Sequence, residues 1–216
     1  MTIDAILFDM DGVVVNSMPF HADAWKQALG EYGLVLDDVD IFRREGMSGR
    51  QSVEELFIEK DRPVPGDREF DDLIEKKHAI FEQCRIELFP HVEDILSWVK
   101  GRGIRAALVT GSPKRSVRYV MPDEMLSRFD AVITAEDVIK GKPDPEPYLK
   151  ALEALDVRSE RSLIIENAPM GVRAARAAGI LCFALETTLP RQYLKEADRI
   201  FRGHRDLLEY LKSSIT

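Results

Sequence analysis

Short apolar runs at residues 3–8, 104–109, 131–134, 162–165 and 180–185 recur along the chain at lengths suited to strands. Each is almost continuously apolar rather than alternating, which predicts strands buried on both faces. Between most of them lie helical patterns, residues 113–124, 145–155 and 169–178, each opening on a proline, which the first turn of a helix tolerates. Strands alternating with helices predict an α/β fold, a Rossmann-like parallel sheet core flanked by helices.

The alternation fails between residues 18 and 85. There Phe20, Ala24, Trp25, Ala28 and Leu29 repeat at helical spacing, as do Val53, Leu56 and Phe57, and more weakly Leu73, Lys77 and Ile80. The expected organisation is a core of residues 1–15 and 87–216 interrupted by an all-helical cap of residues 16–86. Two crossings, near residues 15–18 and 85–91, would let that cap hinge as a lid. No repeat of solenoid length and no low-complexity tract competes with this reading.

Composition narrows the class. With 45% hydrophobic and 31% charged residues in 216, the chain can bury a sizeable core. Its formal charge of −8 disfavours nonspecific attraction to nucleic acid or anionic membranes, so neither is an expected partner. Asp9 and Asp11 end the first apolar run too early for a signal peptide or a spanning helix, and a cytoplasmic monomer or weak homodimer is expected. Cys84 and Cys182 fit no disulfide or metal spacing and read as small structural residues.

The chemistry concentrates where the strand-like runs end. Phe8-Asp9-Met10-Asp11-Gly12-Val13 sets two carboxylates two residues apart, and a turn at Gly12 would let them converge on a ligand. Two such anions need a cation, a shared proton or a bound phosphate between them. Solvated loop carboxylates and a calcium loop are the competing readings, although the closing glutamate of an EF-hand is absent. Thr110-Gly111-Ser112 follows the second run and offers hydroxyls and amides to an anion, or an ordinary helix cap. Lys140-Gly141-Lys142-Pro143-Asp144-Pro145 follows the third, where Lys142 could reach a phosphate. Glu166-Asn167-Ala168-Pro169 follows the fourth, with two hard oxygen donors.

In this order the four motifs resemble the haloacid dehalogenase-like hydrolases, and the helical cap is similar to that of the subfamily of β-phosphoglucomutase and phosphoglycolate phosphatase. The resemblance covers essentially the whole chain. It implies a magnesium-dependent phosphatase acting on a small phosphorylated metabolite through an aspartyl-phosphate, with a sugar phosphomutase as the alternative and a phosphate-binding protein without turnover as a third reading. Asp9 would be the nucleophile and Asp11 the general acid/base, with Thr110, Gly111, Ser112 and Lys142 holding the phosphoryl group. Magnesium would be held by Asp9, Asp11 through its backbone carbonyl, and Glu166 or Asn167. Many relatives carry Glu-Asp-Ser where this chain has Glu166-Asn167-Ala168, which leaves the last ligand open.

The second carboxylate argues against a dehalogenase, and Asp11 stands where a phosphonate hydrolase of this type would have Ala. Gly46-Met47-Ser48-Gly49-Arg50 narrowly misses a serine nucleophile elbow and falls in the insert rather than after a strand. The leaving group is expected to meet His21, Met47, Ser48, Arg50, and Lys76 or Lys77. His78, His91 and His204 read as structural or surface residues, and Trp25 and Trp98 as packing.

Overall fold

The computed structural model describes residues 2–215. Strand β1 (Ala5–Phe8) is apolar and buried at every position. It lies between β2 (Arg105–Val109) and β4 (Ser162–Glu166), with Phe8 opposite both Leu108 and Ile165. β3 (Ala131–Ile133) flanks β2, while β5 (Leu181–Leu185) and β6 (Arg199–Phe201) extend the other edge. The result is one parallel sheet in the order β3-β2-β1-β4-β5-β6.

Side-chain alternation along the central strands explains the two helical layers. Ile6 and Phe8 of β1 join Leu108, Leu163 and Ile165 on one face, beneath α5 (Val92–Gly101), α6 (Lys114–Val120), α7 (Asp123–Leu126) and α10 (His204–Ser214). Ala5 and Leu7 point the other way, towards α8 (Glu146–Leu155) and α9 (Pro169–Ala177). Each fully buried Leu, Ile or Phe in these layers contributes roughly 1.5–3 kcal/mol relative to exposure.

Four helices, α1 (Met18–Gly30), α2 (Asp38–Phe42), α3 (Gly49–Glu59) and α4 (Asp67–Phe81), gather about a separate apolar cluster that includes Leu29, Ile41, Leu56, Phe57 and Leu73. The chain enters and leaves this bundle side by side: Val15 bridges Leu88, Asn16 N–H donates to the Glu87 carbonyl at 2.9 Å and Phe89 N–H to that of Val14 at 3.1 Å.

The expected helix over residues 113–124 is two helices. Pro122 has no N–H to continue the first and forces Met121 into an extended conformation, φ −123 and ψ 119. β6, α2, α5 and α10 carried no strand or helix expectation: β6 has three residues and α2 five, too short for a periodic signal.

Candidate active site

In a parallel sheet of this order the connections diverge between β1 and β4, and the crevice outside their carboxyl ends is the natural ligand site. The polar residues after each strand meet there. Asp9 N–H donates to the Ile165 carbonyl at 3.0 Å, continuing the β1–β4 ladder by one step, so the carboxylate projects from a fixed backbone. The next residues turn back. Gly12 has φ +85, and a Cβ there would lie 2.8 Å from both Asn167 Cγ and Thr188 Oγ1, so only glycine closes this turn.

Lys142 is the hub of the site. Its ammonium donates to Asp9 Oδ1 at 2.5 Å, Glu166 Oε1 at 2.7 Å and the Val109 carbonyl at 3.3 Å, with all three charged side chains about 1% exposed. Glu166 is fully engaged: Tyr148 Oη donates to Oε1 at 2.7 Å, and the amides of Asn167 and Ala168 donate to Oε2 at 2.8 and 3.1 Å. Asp11 is held differently. Ser17 Oγ donates to Oδ1 at 2.5 Å, His21 Nε2 lies 3.1 Å from the same oxygen, and Ser112 Oγ and Thr110 Oγ1 donate to Oδ2 at 2.9 and 3.4 Å.

These surroundings separate the two carboxyls. Burial pushes Asp9 up to about 8; Lys142 opposes it, and the charges of Glu166 and Asp11 add to it. Burial would raise Asp11 too, but His21 and the hydroxyls of Ser17 and Ser112 outweigh it and bring that carboxyl to about 2. Burial, with the nearby Lys77 charge, holds His21 below its ordinary value. A His21 held below its ordinary value is a neutral imidazole at neutral pH, and its ring N–H then donates to the Asp11 carboxylate.

The donor set fits a hard cation. Asp9 Oδ2 and Asn167 Oδ1 are buried without a hydrogen-bond partner, and they stand at the adjoining ends of β1 and β4. Asn167 spends its amide nitrogen on Thr188 Oγ1 at 2.8 Å, which turns its oxygen free. Glu166, whose oxygens are already taken by Lys142, Tyr148 and two amides, is poorly placed to serve instead. No cluster of three His, Cys, Asp or Glu side chains suited to a metal occurs among the described residues.

Above Asp11 a cavity of about 290 Å³ separates the cap from the loop carrying Gly111 and Ser112. His21, Met47, Ser48, Arg50 and Lys77 line it, and so do Trp25, expected only as packing, and His78, expected as a structural or surface residue. Lys76 is not among the lining residues: it ion-pairs with Glu31 at the end of α1. Glu45 also lines the cavity and no sequence motif pointed to it. Arg50 is occupied by Asp67 at 3.1 Å and stacks 4.2 Å from the Phe70 ring centroid. His91 pairs with Asp94, and His204 contacts the Val13 carbonyl at 2.6 Å, both away from the site.

The cap rests on the core through glycine. Gly46, at φ +85, packs on the Lys142 stem, and a Cβ on Gly111 would stand 2.6 Å from the Gly46 carbonyl oxygen. Arg115 of α6 adds a fork onto the cap, with Nε and Nη2 on Glu82 at 2.5 and 2.8 Å and Nη1 on Glu75 at 3.2 Å. Gly111→Ala should therefore prop the cap away from the site without touching the core. The expected result is a fall in kcat/KM of about tenfold or more with little change in Tm, since small misplacements of positioning groups are costly. Steady-state kinetics beside a melting curve check it, and a rate within twofold of wild type would show that this contact is dispensable.

The model of the haloacid dehalogenase-like hydrolases matches residues 3–179. The chain belongs to this family. Among similar haloacid dehalogenase-like proteins, a phosphorylated carbohydrates phosphatase of Thermotoga maritima is 31% identical over 180 residues, 82% of each chain. Fructose-1-phosphate phosphatase YqaB of Escherichia coli is 31% identical over 179 residues, 81% of this chain and 92% of its own. Among solved structures, a candidate β-phosphoglucomutase from Bacteroides vulgatus matches with a TM-score of 0.89 and 31% identity, over 98% of this chain and 88% of that one.

Proposed function

We propose that the protein is a magnesium-dependent phosphatase of small phosphate monoesters, of the sugar-phosphate or phosphoglycolate kind, working through an aspartyl-phosphate on Asp9. The observation that carries this reading is the unpartnered Asp9 Oδ2 at the sheet's carboxyl end, with its other oxygen fixed by Lys142. A carboxylate held this way cannot turn away from the ligand, and it can give one oxygen to a cation and the other to a phosphorus atom.

Asp9 Oδ2, Asn167 Oδ1 and the Asp11 backbone carbonyl would hold magnesium. When bound, it would supply the positive charge that keeps Asp9 ionised and that complements the phosphoryl oxygens. Lys142 and the hydroxyls of Thr110 and Ser112 hold the equatorial oxygens of the phosphoryl group. Asp11, ionised at rest, takes up a proton from solvent as the substrate's negative charge arrives beside it and passes that proton to the leaving oxygen. It then removes a proton from the water that attacks phosphorus and frees Asp9. Ser17 and His21 keep it aimed through both steps.

A phosphomutase shares the first half-reaction, and the candidate β-phosphoglucomutase of similar structure keeps that alternative in view. Hydrolysis is favoured because a mutase must also hold a second phosphate, and Arg50, the cap arginine expected to meet the leaving group, is already paired with Asp67. The test is phosphate release from a panel of sugar monophosphates and phosphoglycolate with added magnesium. Turnover should require the metal, and Asn167→Asp should lower the half-saturating magnesium concentration about tenfold, since hard cations favour anionic oxygen. Phosphate release unaffected by chelation, or glucose 6-phosphate forming from β-glucose 1-phosphate much faster than phosphate, would overturn the reading.

A further inference from the structure

Most charged groups on the wall of the cap cavity are already committed. Arg44 pairs with Glu59 and donates to the Asp40 carbonyl at 2.7 Å, Arg50 pairs with Asp67, and His21 is held by Asp11. Two are not. Neither Lys77 nor Glu45 forms a side-chain hydrogen bond or ion pair among the described residues, yet both line the cavity. Lys77 is buried against aromatic faces, its ammonium 4.7 Å from the Phe81 centroid and 5.6 Å from that of Trp25. Glu45 immediately precedes Gly46, whose backbone is pressed onto Gly111 and Lys142, so its position over the reacting centre is fixed by the same contact that seats the cap.

Resting on the phosphatase reading above, we infer that Glu45 is a specificity-determining residue: with Lys77 it selects a neutral, hydroxyl-bearing leaving group and turns away substrates carrying a second phosphate. The physical reason is the imbalance of charge on this wall. Lys77 is the one cation lining the cavity without an ion pair among the described residues, and Glu45 lines the same cavity close enough for its charge to act on Lys77. Burial, and after it the Asp11 and Asp9 carboxylates, push the Glu45 carboxyl well up. A second phosphate would therefore meet either a carboxylate that repels it or an acid that must hold its proton beside a dianion. A hydroxyl suits both forms, since it donates to a carboxylate and accepts from an acid. Lys77, brought down to about 8 by burial with the Asp11 and Glu45 carboxylates opposing, offers donors to the sugar oxygens.

The deciding experiment compares kcat/KM for fructose 1-phosphate and fructose 1,6-bisphosphate, measured as phosphate release with magnesium, in wild type, Glu45→Lys and Glu45→Gln. Wild type should favour the monophosphate at least about tenfold, Glu45→Lys should shift the ratio towards the bisphosphate by about tenfold or more, and the near-isosteric Glu45→Gln should shift it the same way by less. Melting curves confirm that each variant is folded, and Glu45→Gln, with almost unchanged volume, keeps the test decisive if the lysine variant is not. A ratio unmoved by Glu45→Gln, or a wild type that prefers the bisphosphate, overturns the inference. Wild type releasing phosphate from neither sugar nor p-nitrophenyl phosphate would instead overturn the phosphatase reading on which it stands.

Discussion

Asp9→Asn lowers kcat by about four orders of magnitude or more while the protein stays folded, the scale seen when a nucleophile that works as part of a unit is removed. The amide keeps the volume of the carboxylate and can still accept from Lys142, but it cannot take a phosphoryl group covalently. Folding should not suffer. In the wild type the Lys142 ammonium is shared by two buried carboxylates, Asp9 and Glu166. With Asp9 neutralised, Lys142 and Glu166 remain as a balanced pair, and a carboxyl that burial pushes up to about 8 no longer has to ionise in the interior. Phosphate release at saturating magnesium and thermal denaturation of the metal-free protein are the two measurements. A variant retaining more than about one per cent of the rate would be incompatible with Asp9 as nucleophile.

Lys142→Met reverses the balance and is expected to be the most destabilising change in the site. Methionine fills the space of the lysine stem beside Gly46 and Tyr148, so packing is largely kept. Asp9 and Glu166 are then left buried with no cation between them, an arrangement that costs about 3–5 kcal/mol. For a chain of this size that corresponds to a fall in Tm of roughly 10 °C or more in the absence of metal. Adding Glu166→Gln should restore part of the loss, because the two residues share one partner and their effects cannot add. Activity should drop by about two to three orders of magnitude, the scale for losing one fixed donor to a transferring group. Circular dichroism melts of the single and double variants decide it: a Tm within about 2 °C of wild type would mean that water reaches these carboxylates.

How much of this was legible in the sequence depended on how far each feature relied on its own neighbours. The five strands that border the site announce themselves because burial on both faces demands unbroken apolar runs. β6, with an exposed Arg199 and three residues, does not. The ends of the strands were equally plain, since polar pairs such as Asp9 and Asp11 directly after a buried run have few structural uses. Lys76 and Lys77 are separated by the helical spacing that already joins Lys77 to Leu73. Leu73, Lys77 and Phe81 recur every four residues and are the buried positions of α4, so Lys77 shares the apolar face while Lys76 turns outwards to Glu31. That Asn167 rather than Glu166 offers a free oxygen could not come from sequence, because it depends on which atoms are already satisfied: Glu166 is saturated and the Asn167 oxygen is not. Glu45 was invisible for a related reason. It sits in no motif, and only the seating of Gly46 on Gly111 carries it over the reacting centre.

The covalent intermediate is tested most directly by trapping it. Asp11→Asn keeps the geometry around Ser17 and Ser112 but cannot draw a proton from water, so the phosphorylated enzyme should form and persist. Incubated with magnesium and a reactive phosphate monoester, quenched in acid and digested, this variant should yield a peptide containing Asp9 that is about 80 Da heavier, the mass of one phosphoryl group. Stoichiometric phosphate release with no added mass on that peptide, or the added mass appearing on a peptide that lacks Asp9, would contradict the account.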